Sequence, residues 1–133
     1  MQRIVVVSNR VPALSGHSSA GGLAVAVRAA LRETGGLWFG WSGRVGEDVD
    51  EAIELAESDA FTLATTDLTA PQVRGYYEGF ANRTLWPLFH GRADLACFDR
   101  SAFAAYREVN ACFARRLAAL LEPGDLIWGT ITT

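Results

Sequence analysis

The chain has 133 residues, 50% of them hydrophobic and 20% charged, with a formal net charge of −3. That is enough for one compact domain with its own core and too short for two. Net acidity argues against a nucleic-acid or anionic-membrane surface, both of which need a cationic field. No apolar run approaches the ~20 residues of a bilayer crossing, and the first residues lack the regions of a signal peptide, so a cytoplasmic location off the membrane is expected.

Two further counts narrow the chemistry. All 12 basic residues are arginine, which removes Schiff-base catalysis and the lysine of a phosphate-binding P-loop. Cys97 and Cys112 do not form a CxxC pair, and the only histidines are His17 and His90. No metal site, redox pair or disulfide framework is expected.

In chain order, residues 3–8 (Arg3-Ile4-Val5-Val6-Val7-Ser8) form a β-branched run without alternation, as in a strand buried on both faces of a parallel sheet. Residues 9–20 are rich in Ser, Gly and Pro and read as a loop. From Gly21-Gly22 the spacing turns helical, with Leu23, Val27, Ala30 and Leu31 on one face, and Gly35-Gly36 closes that helix as a glycine cap. Residues 37–41 are a second apolar run, so the opening reads strand, helix, strand, the order of a right-handed βαβ unit.

Residues 47–59 carry acids and no base and read as a solvated excursion or a short helix. Residues 61–65 read as a strand. Thr69-Ala70-Pro71-Gln72 has the form of a capping box, opening a short helix that runs to Phe80. Pro87 interrupts any regular element in the aromatic-rich stretch 82–92. The longest helix lies between Asp99 or Ser101 and Leu121, with Phe103, Tyr106, Val109, Phe113, Leu117 and Leu120 in one apolar stripe. Glu122-Pro123-Gly124-Asp125 stops it, and residues 126–128 begin another buried strand. The expected fold class is α/β.

In open α/β sheets ligands bind beyond the carboxyl ends of the strands, where the next helix offers free N–H groups to an anion. Ser19-Ala20-Gly21-Gly22 permits close backbone approach to a phosphate, although paired glycines before a helix also serve as plain turn chemistry. Arg10 offers a charge-assisted bidentate contact or, equally, a surface ion pair. The rings of Trp38, Trp41, Tyr76, Tyr77 and Trp86 combine an apolar body with a polar handle, which suits a sugar. Trp38 and Phe89 are assigned to packing; Trp41, Tyr77 and Trp86 stay open. His90 is expected to be structural, because no Ser or Cys pairs with it. Asp94 and Asp99 read as a loop charge and a helix cap rather than paired glycosidase carboxylates. No catalytic residue emerges.

Five ordered blocks then resemble the start of the trehalose-6-phosphate synthase family. They are Val5-Val6-Val7-Ser8-Asn9-Arg10-Val11-Pro12; Ser19-Ala20-Gly21-Gly22-Leu23; Gly36-Leu37-Trp38-Phe39-Gly40-Trp41-Ser42-Gly43; Tyr76-Tyr77-Glu78-Gly79-Phe80 on to His90; and Tyr106, Val109-Asn110 with Pro123-Gly124-Asp125-Leu126-Ile127-Trp128. The resemblance implies a retaining, UDP-glucose-dependent glycosyltransferase that transfers glucose to glucose 6-phosphate without a required metal or cofactor. It implies a GT-B fold of two Rossmann-like domains with the active site between them. Residues 1–133 would be part of the N-terminal, acceptor-side domain, and the donor-binding domain is absent. By the same resemblance Arg10 would meet the phosphate of glucose 6-phosphate, Tyr77 and Trp86 would enclose that acceptor, and Trp41 would border the pocket. Gly22, with Gly21, would approach the UDP-glucose diphosphate. Homo-oligomerisation of the full-length enzyme is left open.

The departure is at the end. After Ile127-Trp128 the family continues with Val (or Ile)-His-Asp-Tyr-His-Leu, whose Asp holds the acceptor sugar; here Gly129-Thr130-Ile131-Thr132-Thr133 stands instead. A fragment inactive by itself is therefore expected, with an unpaired sheet edge that favours poor solubility. The alternatives are a related transferase with another acceptor (a glucosylglycerol-phosphate synthase or a cyclitol pseudo-glycosyltransferase) and a non-catalytic sugar-phosphate-binding module. One deleted base would account for the tail: Val-His-Asp-Tyr-His-Leu-Met can be written GTG CAC GAT TAC CAC CTG ATG, and without the first T this choice of codons reads GGC ACG ATT ACC ACC TGA, which is Gly-Thr-Ile-Thr-Thr and a stop. Nucleotide sequencing past codon 133 is expected to recover an intact synthase frame; unrelated sequence there would contradict the frameshift.

Overall fold

The computed structural model describes residues 2–12, 22–47, 52–58 and 60–130. Its centre is a five-stranded sheet in the order β3-β4-β2-β1-β5, formed by β1 (Ile4–Arg10), β2 (Leu37–Gly46), β3 (Glu54–Glu57), β4 (Thr62–Thr69) and β5 (Leu126–Gly129). β1 pairs in parallel with both β2 and β5, and β2 pairs in parallel with β4. β3 is antiparallel to β4 at the edge.

Consecutive side chains of the inner strands enter two separate cores, which is why their sequences are apolar without alternation. Val5, Leu37, Phe39, Trp41 and Ala64 face one side of the sheet, where they meet Val73, Tyr76, Val109, Phe113 and Leu117. Val6, Trp38 and Leu63 face the other, against Val27 and Leu31 of α1 (Gly22–Thr34). Phe39 and Phe113 meet edge to face at 5.2 Å and lock the first core between sheet and helix.

That helix is α4 (Arg100–Ala118), capped by Asp99, whose Oδ1 accepts from the N–H groups of Ser101 at 2.8 Å and Ala102 at 3.4 Å. Alongside it, α2 (Ala70–Gln72), a wide π-type stretch (Val73–Leu85) and α3 (Trp86–Phe89) form one unbroken helical path. The capping box expected at Thr69 is present: the Thr69 hydroxyl accepts from the Gln72 N–H at 3.3 Å, and Gln72 Oε1 accepts from the Thr69 N–H at 2.9 Å. Gly75 lets the path press against α4, since a Cβ there would stand 2.3 Å from that of Ala105.

Several sequence expectations are corrected. The described part of the acidic stretch holds the edge strand β3, whose Glu54 and Glu57 lie on an unpaired flank where charge discourages further strand addition. Asn9 and Arg10 belong to β1 rather than to a loop, and β2 and β4 run several residues beyond their apolar centres. The helical path stops neither at Phe80 nor at Pro87: the Arg83 carbonyl, which Pro87 has no N–H to engage, accepts from the Cys97 N–H at 2.8 Å instead. Phe89, assigned to packing, is 57% exposed at the end of α3, and Phe103 is exposed as well. Leu126, Ile127 and Trp128 are also exposed rather than buried, because β5 is an edge strand held by β1 on one side.

The start of β5 is clamped by charge. Arg3 donates from Nε to Asp125 Oδ1 at 2.9 Å and from Nη2 to Asp125 Oδ2 at 2.6 Å, and the Glu122 N–H donates to Oδ2 at 2.8 Å. The Arg3 guanidinium, and after it the Glu122 amide, hold the Asp125 carboxyl down at about 2. A carboxyl whose folded value lies below its unfolded one adds stability above the unfolded value and loses it as the pH falls towards the folded value. The chain is therefore expected to lose stability between about pH 4 and pH 2, and Asp125→Asn is expected to remove that share of the slope. Thermal melts of both proteins across this range check it; identical slopes would contradict the clamp.

Candidate functional site

The carboxyl ends of β1 and β2 break register at the same level. The β1–β2 ladder runs regularly from Val5 opposite Leu37 to Val7 opposite Phe39, then shifts, so that Arg10 stands opposite Trp41. The β2–β4 ladder shifts between Trp41 and Val45. Such bulges re-aim side chains at strand ends. Here the β2 bulge turns at Gly43, with φ of 86°, in the left-handed region that a side chain rarely adopts.

Polar bonds pin this turn. The Trp41 indole N–H donates to the Arg44 carbonyl at 2.8 Å, the Arg44 N–H donates to Ser42 Oγ at 3.1 Å, and the Ser42 hydroxyl donates to Asp67 Oδ1 at 2.5 Å. Arg44 closes the clasp from outside by donating to Asp67 at 3.1 Å and pairing with Glu54 of β3.

The Arg10 guanidinium lies over the Trp41 indole, its carbon 5.3 Å from the ring centroid. Tyr77 adds a third member, its ring tilted against Trp41 at 5.2 Å. Trp41 is buried, Tyr77 half-buried and Arg10 exposed. None of the ion pairs among the described residues uses Arg10. A guanidinium stacked on an indole keeps its in-plane N–H donors available, and such a fork matches the oxygens of a carboxylate or phosphate. The arrangement is a cationic receptor walled by rings; it contains no nucleophile–base couple.

Directly beneath, Asn9 is buried and its Oδ1 accepts from the Tyr76 phenol. Burial pushes the Tyr76 hydroxyl well above its ordinary pKa, so it stays a donor. This bond joins the last turn of β1 to the π-type helix that carries Tyr77.

The remaining candidates make other contacts. Trp86 is half exposed, and among the described residues its ring contact is with His90, stacked at 3.9 Å. His90 is tied to the same residue, its Nδ1 2.7 Å from the Trp86 carbonyl. Gly22 is exposed at the start of α1, with no atom within 4 Å of where a Cβ would stand. Gly21 falls outside the described residues. Trp38 packs as expected, donating to Ser8 Oγ at 2.9 Å on the α1 side of the sheet. Asp94 pairs with Arg92. Among the described residues no group of His, Cys, Asp and Glu is placed to hold a metal ion, and no helix is long and apolar enough to cross a membrane.

Sequence reasoning missed Asn9, Ser42, Gly43 and Asp67. Only Gly43 left a local sign, a glycine two residues after a buried indole. Asp67 became visible only when the register brought β4 alongside β2.

Tyr76→Phe is expected to lower unfolding free energy by about 1–2 kcal/mol, because the ring still fills its place while the buried Asn9 Oδ1 loses the phenol donor. Urea unfolding checks this, and an unchanged midpoint would contradict a structural role for the bond.

Comparison with known proteins follows this geometry. Residues 3–130 match the profile of glycosyltransferase family 20. The trehalose-6-phosphate synthase of Sinorhizobium fredii is 51% identical over 132 residues, a match that covers 96% of this chain and 28% of that protein. The crystal structure of an alpha,alpha-trehalose-phosphate synthase (UDP-forming) from Burkholderia vietnamiensis superposes with a TM-score of 0.84 at 51% identity, covering 97% of this chain and 28% of that one. A synthase of the same description from Burkholderia xenovorans, in complex with glucose-6-phosphate, gives a TM-score of 0.84 at 47% identity, covering 96% and 27%. The chain thus spans little more than a quarter of the length of the proteins it matches.

Proposed function

The chain belongs to glycosyltransferase family 20, and from that premise we propose that it is the acceptor-side part of a UDP-forming trehalose-6-phosphate synthase. In that reading residues 1–133 are part of the N-terminal Rossmann-like domain of a GT-B enzyme. The complete protein transfers glucose from UDP-glucose to glucose 6-phosphate, and this part grips the acceptor. Its parallel sheet, with helices on both faces, is consistent with such a domain.

The observation that carries the proposal is the Arg10 guanidinium stacked on Trp41, with Tyr77 beside it and no carboxylate paired to it among the described residues. Arg10 binds the phosphate of glucose 6-phosphate through its in-plane N–H groups. Trp41 and Tyr77 wall the pocket and offer apolar surface to the C–H face of the sugar. Trp86 is assigned to the acceptor enclosure, and Gly21 and Gly22 to the donor diphosphate, on sequence resemblance. Binding and orientation are the whole contribution of these residues: they hold the acceptor hydroxyl in place for a donor bound by other parts of the enzyme.

Calorimetric titration tests the reading. The chain is expected to give saturable heat with glucose 6-phosphate and much less with glucose, and Arg10→Ala is expected to weaken glucose 6-phosphate binding by roughly tenfold or more, the worth of one charge-assisted contact. Equal responses to glucose and glucose 6-phosphate, or no heat with either, would contradict it.

A further inference from the structure

The β2 bulge does more than end a strand. A Cβ built on Gly43 would stand 2.9 Å from Arg10 Nη2, 3.0 Å from Nε and 3.2 Å from the guanidinium carbon. The guanidinium thus has two neighbours on β2, the Trp41 ring and the bare backbone of Gly43. Any side chain at position 43 would crowd the Nε and Nη2 atoms of the cation.

We propose that Gly43 is a positioning residue for the sugar-phosphate receptor, and that the Ser42–Asp67–Arg44 clasp holds the β2 bulge in the shape that seats Arg10 over the indole and against the glycine backbone. This rests on the proposed function above and deepens it. These two neighbours restrict a long, flexible side chain before any anion arrives. Preorganisation of this kind improves affinity by lowering the ordering cost of binding. Arg44 belongs to the clasp rather than to the receptor, because Asp67 and Glu54 already engage its donors.

Two measurements test the assignment. Proton NMR of the free chain reads the seat directly, since Arg10 side-chain protons over an indole face are shifted upfield by the ring current. That shift is expected in the native chain and lost in Gly43→Ala; equal shifts in the two proteins would overturn the proposal whether or not any ligand binds. If Gly43→Ala fails to fold, Asp67→Asn loosens the clasp without adding an atom at position 43 and is expected to reduce the same shift; no change would again overturn it.

A double-mutant cycle on glucose 6-phosphate affinity then separates positioning from general damage. Gly43→Ala is expected to weaken binding by roughly tenfold in the native background and to have little further effect when Arg10 is already alanine. Equal losses in both backgrounds would mean that Gly43 acts on stability alone and would overturn the proposal. Absence of binding by the native chain would count against the proposed function, while the NMR result would still decide the role of Gly43.

Discussion

The juxtaposition of Arg10 and Trp41 across two parallel strands is the constraint on which the site depends. Parallel pairing sends the carboxyl ends of β1 and β2 to the same end of the sheet, and the register shift between them sets Arg10 opposite Trp41. A guanidinium alone at a strand end would sweep a wide volume of solvent. Held over a buried indole, it is confined, and the cation–π and dispersion contacts offset the loss of rotamer freedom. The tilt of Tyr77 against the same indole carries that order from the sheet into the adjoining helix.

The sheet can hold these ends rigidly because it is buried on both faces. Phe39, Val109 and Phe113 fix one layer, and Trp38, Val27 and Leu31 fix the other. The Tyr76–Asn9 bond links the strand end that bears Arg10 with the helix that bears Tyr77. Rigidity falls on the three inner strands, β4, β2 and β1, whereas β3 and β5, at the edges, keep exposed apolar side chains such as Leu55 and Trp128. The receptor thus sits on the best-supported part of the fold, as a preorganised binding group requires.

What could be read in advance was what local sequence encodes. The β-branched run of β1, the helical stripe of α4, the Thr69 capping box and the Asp99 cap are short-range patterns with short-range causes. β3 was hidden because its glutamates, suited to an unpaired edge, make a strand resemble a solvated acidic stretch. Phe89 and Phe103 were misplaced because an apolar residue near a helix end does not always face the core. The importance of Gly43, Ser42 and Asp67 depends on which strands become neighbours and where the ladder slips, and no window of sequence contains that information. Arg10, Trp41 and Tyr77 were legible as candidates from chemistry and resemblance, and the structure brings those three together. Trp86 stacks on His90 and Gly22 opens α1, so their assignment still rests on resemblance.

The central claim, that the Arg10–Trp41–Tyr77 group receives a phosphorylated sugar, is tested most directly by following the indole N–H resonances of Trp41 and Trp38 during addition of glucose 6-phosphate. The two indoles come from one strand but enter opposite cores and donate to different acceptors, the Arg44 carbonyl and Ser8 Oγ. The account requires the Trp41 resonance to move saturably, together with the Arg10 side-chain N–H, while that of Trp38 stays in place. A stationary Trp41 signal, or equal movement of both, would contradict it.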